Sequence, residues 1–175
     1  MRDEPQRDSE SLGTLTHLDE HGHARMVDIT SKPVTRRVAT ARCRVATTTE
    51  AIVLLERSLE GVDPLEAARV AGVQAAKKTS SLIPLCHPLH LDDIGLDVQV
   101  NEDNVEIAAA CQVTERTGVE MEALMACAVA GLSVVNVLLE LDPNASVGEL
   151  TLWHKSGGRS GQWVRTQAGK ISSSG

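Results

Sequence analysis

The chain has 175 residues, enough for one domain with its own core, and its net charge of -7 disfavours a surface that binds nucleic acid or an anionic membrane. It contains no Phe or Tyr and only two Trp, so the core must be built from aliphatic side chains. The four cysteines lack the paired spacing of a structural zinc site and the N-terminus has no signal peptide pattern, which together indicate free thiols in the cytoplasm.

The first half of the chain predicts one strand and two helices within a single domain over residues 14–165. Residues 1–13 and 166–175 are polar and lack periodicity, so we expect flexible ends there. A strand is predicted over residues 38–46, and a helix from Thr48 or Thr49 to about Leu59. Asp63-Pro64 has the composition of a helix start and predicts a second helix to about Lys78.

The second half predicts a hairpin, a long helix and a last strand. Residues 79–89 contain two prolines and should form a loop. Strands over residues 91–100 and 105–113 flank a turn, a helix follows over about residues 119–141, and residues 147–153 form a strand. This order predicts an α+β fold of ferredoxin-like type, an antiparallel sheet with helices packed on one face.

The long helix contains an apolar run over residues 123–139, in which only Ser133 and Asn136 are polar. Its length is at the lower limit for a membrane span. The run has acidic flanks and no basic anchor, which favours a helix buried in an oligomer over a membrane segment.

The segment Lys155-Ser-Gly-Gly-Arg-Ser-Gly161 combines three glycines with two cations. Backbone N–H groups can approach an anion closely there, while Lys155 and Arg159 neutralise its charge. The segment therefore predicts a phosphate site, and a flexible loop is the alternative.

The loop Pro84-Leu-Cys-His-Pro-Leu-His90 places a thiol and two imidazoles on a proline-stiffened backbone. His87 could donate a hydrogen bond to a ligand or transfer a proton. Zinc bound by His87, His90 and Cys86 is the rival interpretation, although no distant Cys pair completes such a site.

Two carboxylates stand two residues apart at Glu120 and Glu122. On an extended backbone both would point into one pocket, whereas on a helix they would point in nearly opposite directions. The alternative role for these acids is to favour the N-terminus of the long helix, and Lys77 and Lys78 could likewise complement a helix C-terminus.

These segments together resemble the MoaC family. The resemblance rests on six ordered motifs between about Leu15 and Trp163: LTHLDE at residues 15–20, MVDIT at 26–30, AARVAGVQAAKKT at 67–79, LIPLCHPL at 82–89, TGVEMEAL at 117–124 and KSGGRSG at 155–161.

The resemblance implies a hexamer arranged as a trimer of dimers, with active sites at the dimer interface and no cofactor. It implies that 3′,8-cyclodihydroguanosine triphosphate, made from GTP by a radical SAM cyclase, is rearranged to cyclic pyranopterin monophosphate with loss of pyrophosphate. The positions it assigns to the purine-derived part of the substrate are Leu85, Cys86, His87, Glu120, Met121 and Glu122. The polar lining that it implies consists of Lys77, Lys155, Asp28, Lys32 and Arg37.

The chain departs from the family pattern at three positions. The family's Tyr-Asp-x-x-Lys pattern on the long helix has Asn136 and Leu139 at the acid and lysine positions, and a further family lysine aligns with Gly61. Asn cannot exchange a proton near neutral pH and Leu carries no charge. Two hypotheses follow: an enzyme of altered chemistry with Glu140 as a replacement acid, or an impaired homologue that binds the nucleotide or pairs with an active partner.

Overall fold

The computed structural model describes residues 17, 19, 21–57, 63–159 and 161–166. The predicted N-terminal segment over residues 1–13, nearly all of the predicted tail, Leu59 and Gly61 lie outside the described residues. The domain boundaries therefore stay predictions.

The described chain contains an antiparallel sheet with the strand order β2-β3-β1-β4-β5. The α+β class predicted from the element order is confirmed, with a short fifth strand that the sequence did not predict. The strands are β1 (Thr35–Ala46), β2 (Asp93–Val100), β3 (Asn104–Glu115), β4 (Ser146–Ser156) and β5 (Trp163–Val164).

The predicted hairpin is formed by β2 and β3, whose register pairs Val100 with Val105. Its turn closes with the N–H of Asn101 donating to the carbonyl of Asn104 at 2.8 Å. β1 lies between β3 and β4, and every second residue along it, from Ala39 to Val45, is buried in the core. This alternation is expected of a central strand that is covered on one face.

The helices described are α1 (Thr49–Arg57), α2 (Pro64–Lys77), α3 (Thr79–Leu82) and α4 (Glu120–Leu138). The predicted start of α2 is confirmed, because the Asp63 carboxylate accepts from the N–H of Leu65 at 2.8 Å. The prediction of a loop from residue 79 was wrong for its first turn. The buried hydroxyl of Thr79 donates to the carbonyl of Ala76 at 3.0 Å, so the chain turns once more before the prolines end the helical conformation.

Small residues let α2 and α4 pack closely over the sheet. A Cβ added at Gly72 of α2 would overlap Leu96 of β2 and come within 2.8 Å of the Ala126 carbonyl oxygen of α4. The aliphatic core expected from the missing aromatics is present. α4 is long and apolar enough to cross a membrane, with a mean hydropathy of 1.9, but the core helix of a soluble protein has the same properties.

Candidate functional site

The antiparallel registers bring three chain segments together at one end of the sheet. Thr35, at the start of β1, pairs with Glu115 at the end of β3, and Val38 pairs with Ser156 at the end of β4. The segment before β1, the N-terminus of α4 and the glycine-rich segment after β4 therefore meet there. The prolyl loop after α3 completes the wall of an open cleft.

The cleft has a volume of about 500 Å³. Among the residues with described positions, nine of the predicted site residues line it. The nine are Lys32, Arg37, Leu85, Cys86, His87, Glu120, Met121, Glu122 and Lys155. Its remaining lining residues, which the sequence analysis did not assign to a site, are His17, Val27, Leu89, Arg116, Thr117 and Gly118.

Arg37 is held by the backbone at the rim of the cleft. Its Nε donates to the carbonyl of Glu115 at 2.9 Å and its Nη2 to the carbonyl of Arg116 at 3.0 Å. Arg116 in turn donates through Nη1 to the carbonyl of Thr30 at 2.6 Å. These acceptors are neutral carbonyls, and neither guanidinium group forms an ion pair with a carboxylate in the described part of the chain, so within that part both charges remain available beside the cleft.

The glycine-rich segment packs on the Arg37 guanidinium. Gly157 and Gly158 have φ values of 97° and 67°, a backbone conformation that side chains disfavour. A Cβ added to Gly158 would overlap Nη1 of Arg37, and one added to Gly157 would overlap the carbonyl oxygen of Arg36. Both glycines are therefore needed for this close approach.

Glu120 and Glu122 both line the cleft although they lie in the first turn of a helix, so a shared pocket does not require the extended backbone that the sequence analysis assumed for it. Glu120 is the first residue of α4, and its carboxylate folds back over Gly118, where a Cβ would overlap it. There it forms an ion pair with Lys155, with Oε1 and Nζ 3.2 Å apart. The side chain of Glu122 turns inward instead, and the residue is only 4% exposed.

The surroundings of Glu122 disfavour its charged form. Burial is the main cause that raises its pKa to about 7, and the negative charge of Glu120 adds to the effect. The pKa of Cys86 is also raised, first by burial and then by the charge of Glu122, so this thiol stays protonated at neutral pH. The cleft thus combines a carboxyl group able to give and take a proton near pH 7 with several fixed cations.

No group of three or more His, Cys, Asp or Glu side chains among the residues with described positions is arranged to hold a metal ion. The three residues of the rival zinc interpretation, Cys86, His87 and His90, therefore do not form such a group.

The other predicted site residues do not line the cleft of the same chain. Lys77 ends α2, and Arg159 and Asp28 are exposed. The Asp28 carboxylate accepts from both the N–H and the hydroxyl of Thr30. Asn136 lies fourteen residues beyond Glu122 on α4, roughly 21 Å along the helix axis, and Glu140 lies past its end. The catalytic roles of Asn136 and Glu140 stay predictions.

A larger hollow of about 740 Å³ lies across the sheet strands and contains none of the predicted site residues. Arg42 stacks over the Trp153 ring in its wall, 4.4 Å from the ring centroid. It is lined by side chains of both charge signs, including Arg44, Asp97 and Glu106. We place the functional site in the cleft at the end of the sheet because the carboxyls, the imidazole and the glycine-rich segment converge there.

Comparison with known proteins shows which family the chain resembles. A family model described as the MoaC family matches residues 26–158. Proteins named cyclic pyranopterin monophosphate synthase from Thermomicrobium roseum and Streptomyces coelicolor are 50% and 48% identical to this chain, over 88% and 87% of it and 95% and 90% of their own lengths. A protein named cyclic pyranopterin monophosphate synthase 2 from Mycobacterium tuberculosis is 46% identical over 87% of this chain and 92% of its own.

Proposed function

The chain belongs to the MoaC family, and we propose that it is a cyclic pyranopterin monophosphate synthase-like lyase of molybdenum cofactor biosynthesis. Its substrate is 3′,8-cyclodihydroguanosine triphosphate or a related cyclised purine nucleotide, which it rearranges to a cyclic pyranopterin monophosphate-type product with loss of pyrophosphate. The main support for the proposal is the cleft, where several cations lie around the buried carboxyl group of Glu122.

The cations bind the triphosphate in this proposal. Among the described residues, four positively charged side chains and two carboxyl groups line the cleft. The cations are Lys32, Arg37, Arg116 and Lys155. Preorganised cations of this kind stabilise the negative charge that develops on a departing pyrophosphate. We include Arg159, at the exposed end of the glycine-rich segment, as a contact to the outermost phosphate in this proposal.

Glu122 and His87 perform the proton transfers that opening the purine-derived ring requires. A carboxyl group with a pKa of about 7 is present in both protonation states near neutral pH, as a general acid–base group should be. Leu85, Cys86 and Met121 line the same wall and contact the purine-derived part of the substrate.

We further propose the hexamer, a trimer of dimers in the cytoplasm, with the site completed across the dimer interface and a radical SAM cyclase upstream. The separation of roughly 21 Å between Glu122 and Asn136 supports this, because one chain cannot bring both ends of α4 to one substrate. Asn136, Glu140 and Lys77 of one protomer would then reach the cleft of its partner.

An impaired homologue is the second candidate function. It is favoured by Asn136 and Leu139 at the family's acid and lysine positions, the second being an apolar side chain that is 46% exposed. Such a chain would bind the nucleotide, or would lend its cleft to an active partner subunit that supplies the missing groups.

Incubation of the purified protein with enzymatically prepared 3′,8-cyclodihydroguanosine triphosphate tests the proposal, with pterin and pyrophosphate followed by mass spectrometry. We expect turnover that Glu122→Gln lowers by about 100-fold, the effect typical of losing a general acid or base. Lys78→Gln removes an exposed cation outside the cleft and should leave the rate unchanged.

Two further samples separate the candidate functions. Loss of activity in Glu140→Gln would assign that residue as the replacement acid, whereas full activity would reject the assignment. Tight substrate binding without turnover would favour the impaired homologue. The partner role is tested by mixing the protein with an active relative whose own cleft carries the equivalent of Glu122→Gln. Turnover that appears only in this mixture would identify the partner role.

A further inference from the structure

The two carboxyl groups of the cleft differ in how their charge is compensated. Glu120 has a cation against it, with Lys155 Nζ at 3.2 Å. Glu122 makes no ion pair with any residue in the described part of the chain, and its surroundings hold its pKa near 7. The ion pair of Glu120 therefore limits how much negative charge Glu122 experiences.

Charged and titratable groups face Glu122 from each element around it. Glu120 precedes Glu122 on α4, and the loop of residues 84–90 contributes Cys86 and His87. β3 contributes Cys111, and the negative charge of Glu122 helps to raise the pKa of this thiol. The cations and the remaining imidazole of the cleft are Lys32, Arg37, Arg116, Lys155 and His17.

Among the residues with described positions, Lys155 differs from the two guanidinium groups in having a carboxylate partner. The hydrogen bonds of Arg37 and Arg116 go to backbone carbonyls. A polyphosphate that enters the cleft can add to the guanidinium groups without breaking an ion pair. At Lys155 it must compete with Glu120.

We propose that a polyphosphate bound in the cleft takes Lys155 from Glu120, and that Glu122 takes up a proton from solvent as a consequence. A phosphate oxygen replaces Glu120 Oε1 beside Nζ, which leaves the Glu120 carboxylate uncompensated two residues from Glu122. Two neighbouring carboxylates beside a bound polyanion disfavour the doubly ionised state. A proton then leaves a buffer molecule and bonds to a Glu122 carboxylate oxygen, and no other bond is made or broken.

This coupling deepens the proposed function and rests on it in taking a triphosphate as the natural occupant of the cleft. The phosphate groups of the substrate would thus cause Glu122, the general acid, to be protonated before ring opening requires a proton. Free enzyme at slightly alkaline pH would hold Glu122 ionised, and only occupied sites would carry the proton.

Calorimetric titration with inorganic pyrophosphate tests the proposal on the full chain. Titrations at pH 8 in magnesium-free buffers of different ionisation enthalpy give the number of protons taken up on binding. Glu122→Gln is the reference, because protonation of pyrophosphate itself is common to both proteins. With a pKa of about 7 in the free protein, we expect wild type to take up as much as about 0.9 proton per site more than the variant.

Glu120→Gln distinguishes the exchange at Lys155 from a direct effect of the phosphate. With no carboxylate to displace, this variant should bind pyrophosphate about fivefold more tightly, as expected for an ion pair of modest strength. It should also take up fewer protons than wild type. If Glu120 only helped to shape the cleft, Glu120→Gln would instead weaken the binding of pyrophosphate.

Three results would each overturn the proposal: equal proton numbers in wild type and Glu122→Gln, weaker binding by Glu120→Gln, or no binding of pyrophosphate up to about 10 mM. These outcomes are separate from failure of the proposed function. Coupled proton uptake without turnover of the cyclised nucleotide would reject the lyase reaction alone, and turnover without coupled uptake would reject the exchange alone.

Discussion

Replacing Glu122 with glutamine should remove a pH dependence that its buried carboxyl group imposes on folding stability. The pKa of Glu122 is about 7 in the folded protein, against 4.5 for an ordinary glutamate. Between these two values the folded state holds more protons than the unfolded state, so stability falls as the pH rises through this window. At 1.4 kcal/mol per pH unit the loss is about 3 kcal/mol and is complete above pH 7.

Glutamine keeps the shape of the side chain and cannot ionise, so Glu122→Gln should show no such loss. Urea unfolding at pH 5 and pH 8, at one fixed protein concentration, measures the difference. Because part of the loss has already occurred at pH 5, we expect Glu122→Gln to gain roughly 2 to 3 kcal/mol in stability relative to wild type between these pH values. Glu102→Gln, in the exposed hairpin turn, is the matched control and should follow wild type. Parallel profiles for wild type and Glu122→Gln would refute the burial argument.

Three further substitutions test the close contacts. Gly158→Ala should destabilise the fold by about 1 kcal/mol in urea unfolding, and it should weaken pyrophosphate binding because its Cβ would displace the Arg37 guanidinium. The control is Gly161→Ala, in the same segment, where φ is also positive but the space beside the backbone is open. It should lose stability without a change in pyrophosphate binding. Gly72→Ala should lower the free energy of unfolding by about 2 kcal/mol through overpacking against α4, whereas Gly95→Ala, whose Cβ meets nothing, should not. Arg37→Lys should raise the dissociation constant for pyrophosphate about tenfold in calorimetry, because an ammonium group cannot reproduce the planar guanidinium that two backbone carbonyls hold in place. It should lower the stability less than Gly72→Ala does.

Much of the fold could be predicted because local chemistry agrees with the tertiary structure. Asp63 caps α2 as its position before Pro64 predicts, and the turn between Val100 and Val105 closes the expected hairpin. Thr79 was assigned to a loop because the prolines that follow dominate the pattern, although its buried hydroxyl supports one more turn. That bond depends on the backbone of α2 and leaves no periodic signal in the sequence.

The site was predictable as a set of motifs, but its charge balance was not. Spacing alone could not show that Glu120 folds back over Gly118 while Glu122 turns into the core, since both outcomes depend on space beside the first turn of a helix. Arg116 was not predicted as a site residue, because it directly follows β3 and belongs to no pattern of cations in the sequence. Its position directly before the Thr117-Gly118 motif was the available signal.

The lyase reaction is tested by the amounts of pyrophosphate and pyranopterin that the purified protein forms in a single turnover of 3′,8-cyclodihydroguanosine triphosphate. We expect equal amounts of the two products, at a rate that falls when Lys155 or Glu122 is replaced by glutamine. Bound substrate that is recovered unchanged from wild type would contradict it, and would leave the cleft as a nucleotide-binding site of an impaired homologue.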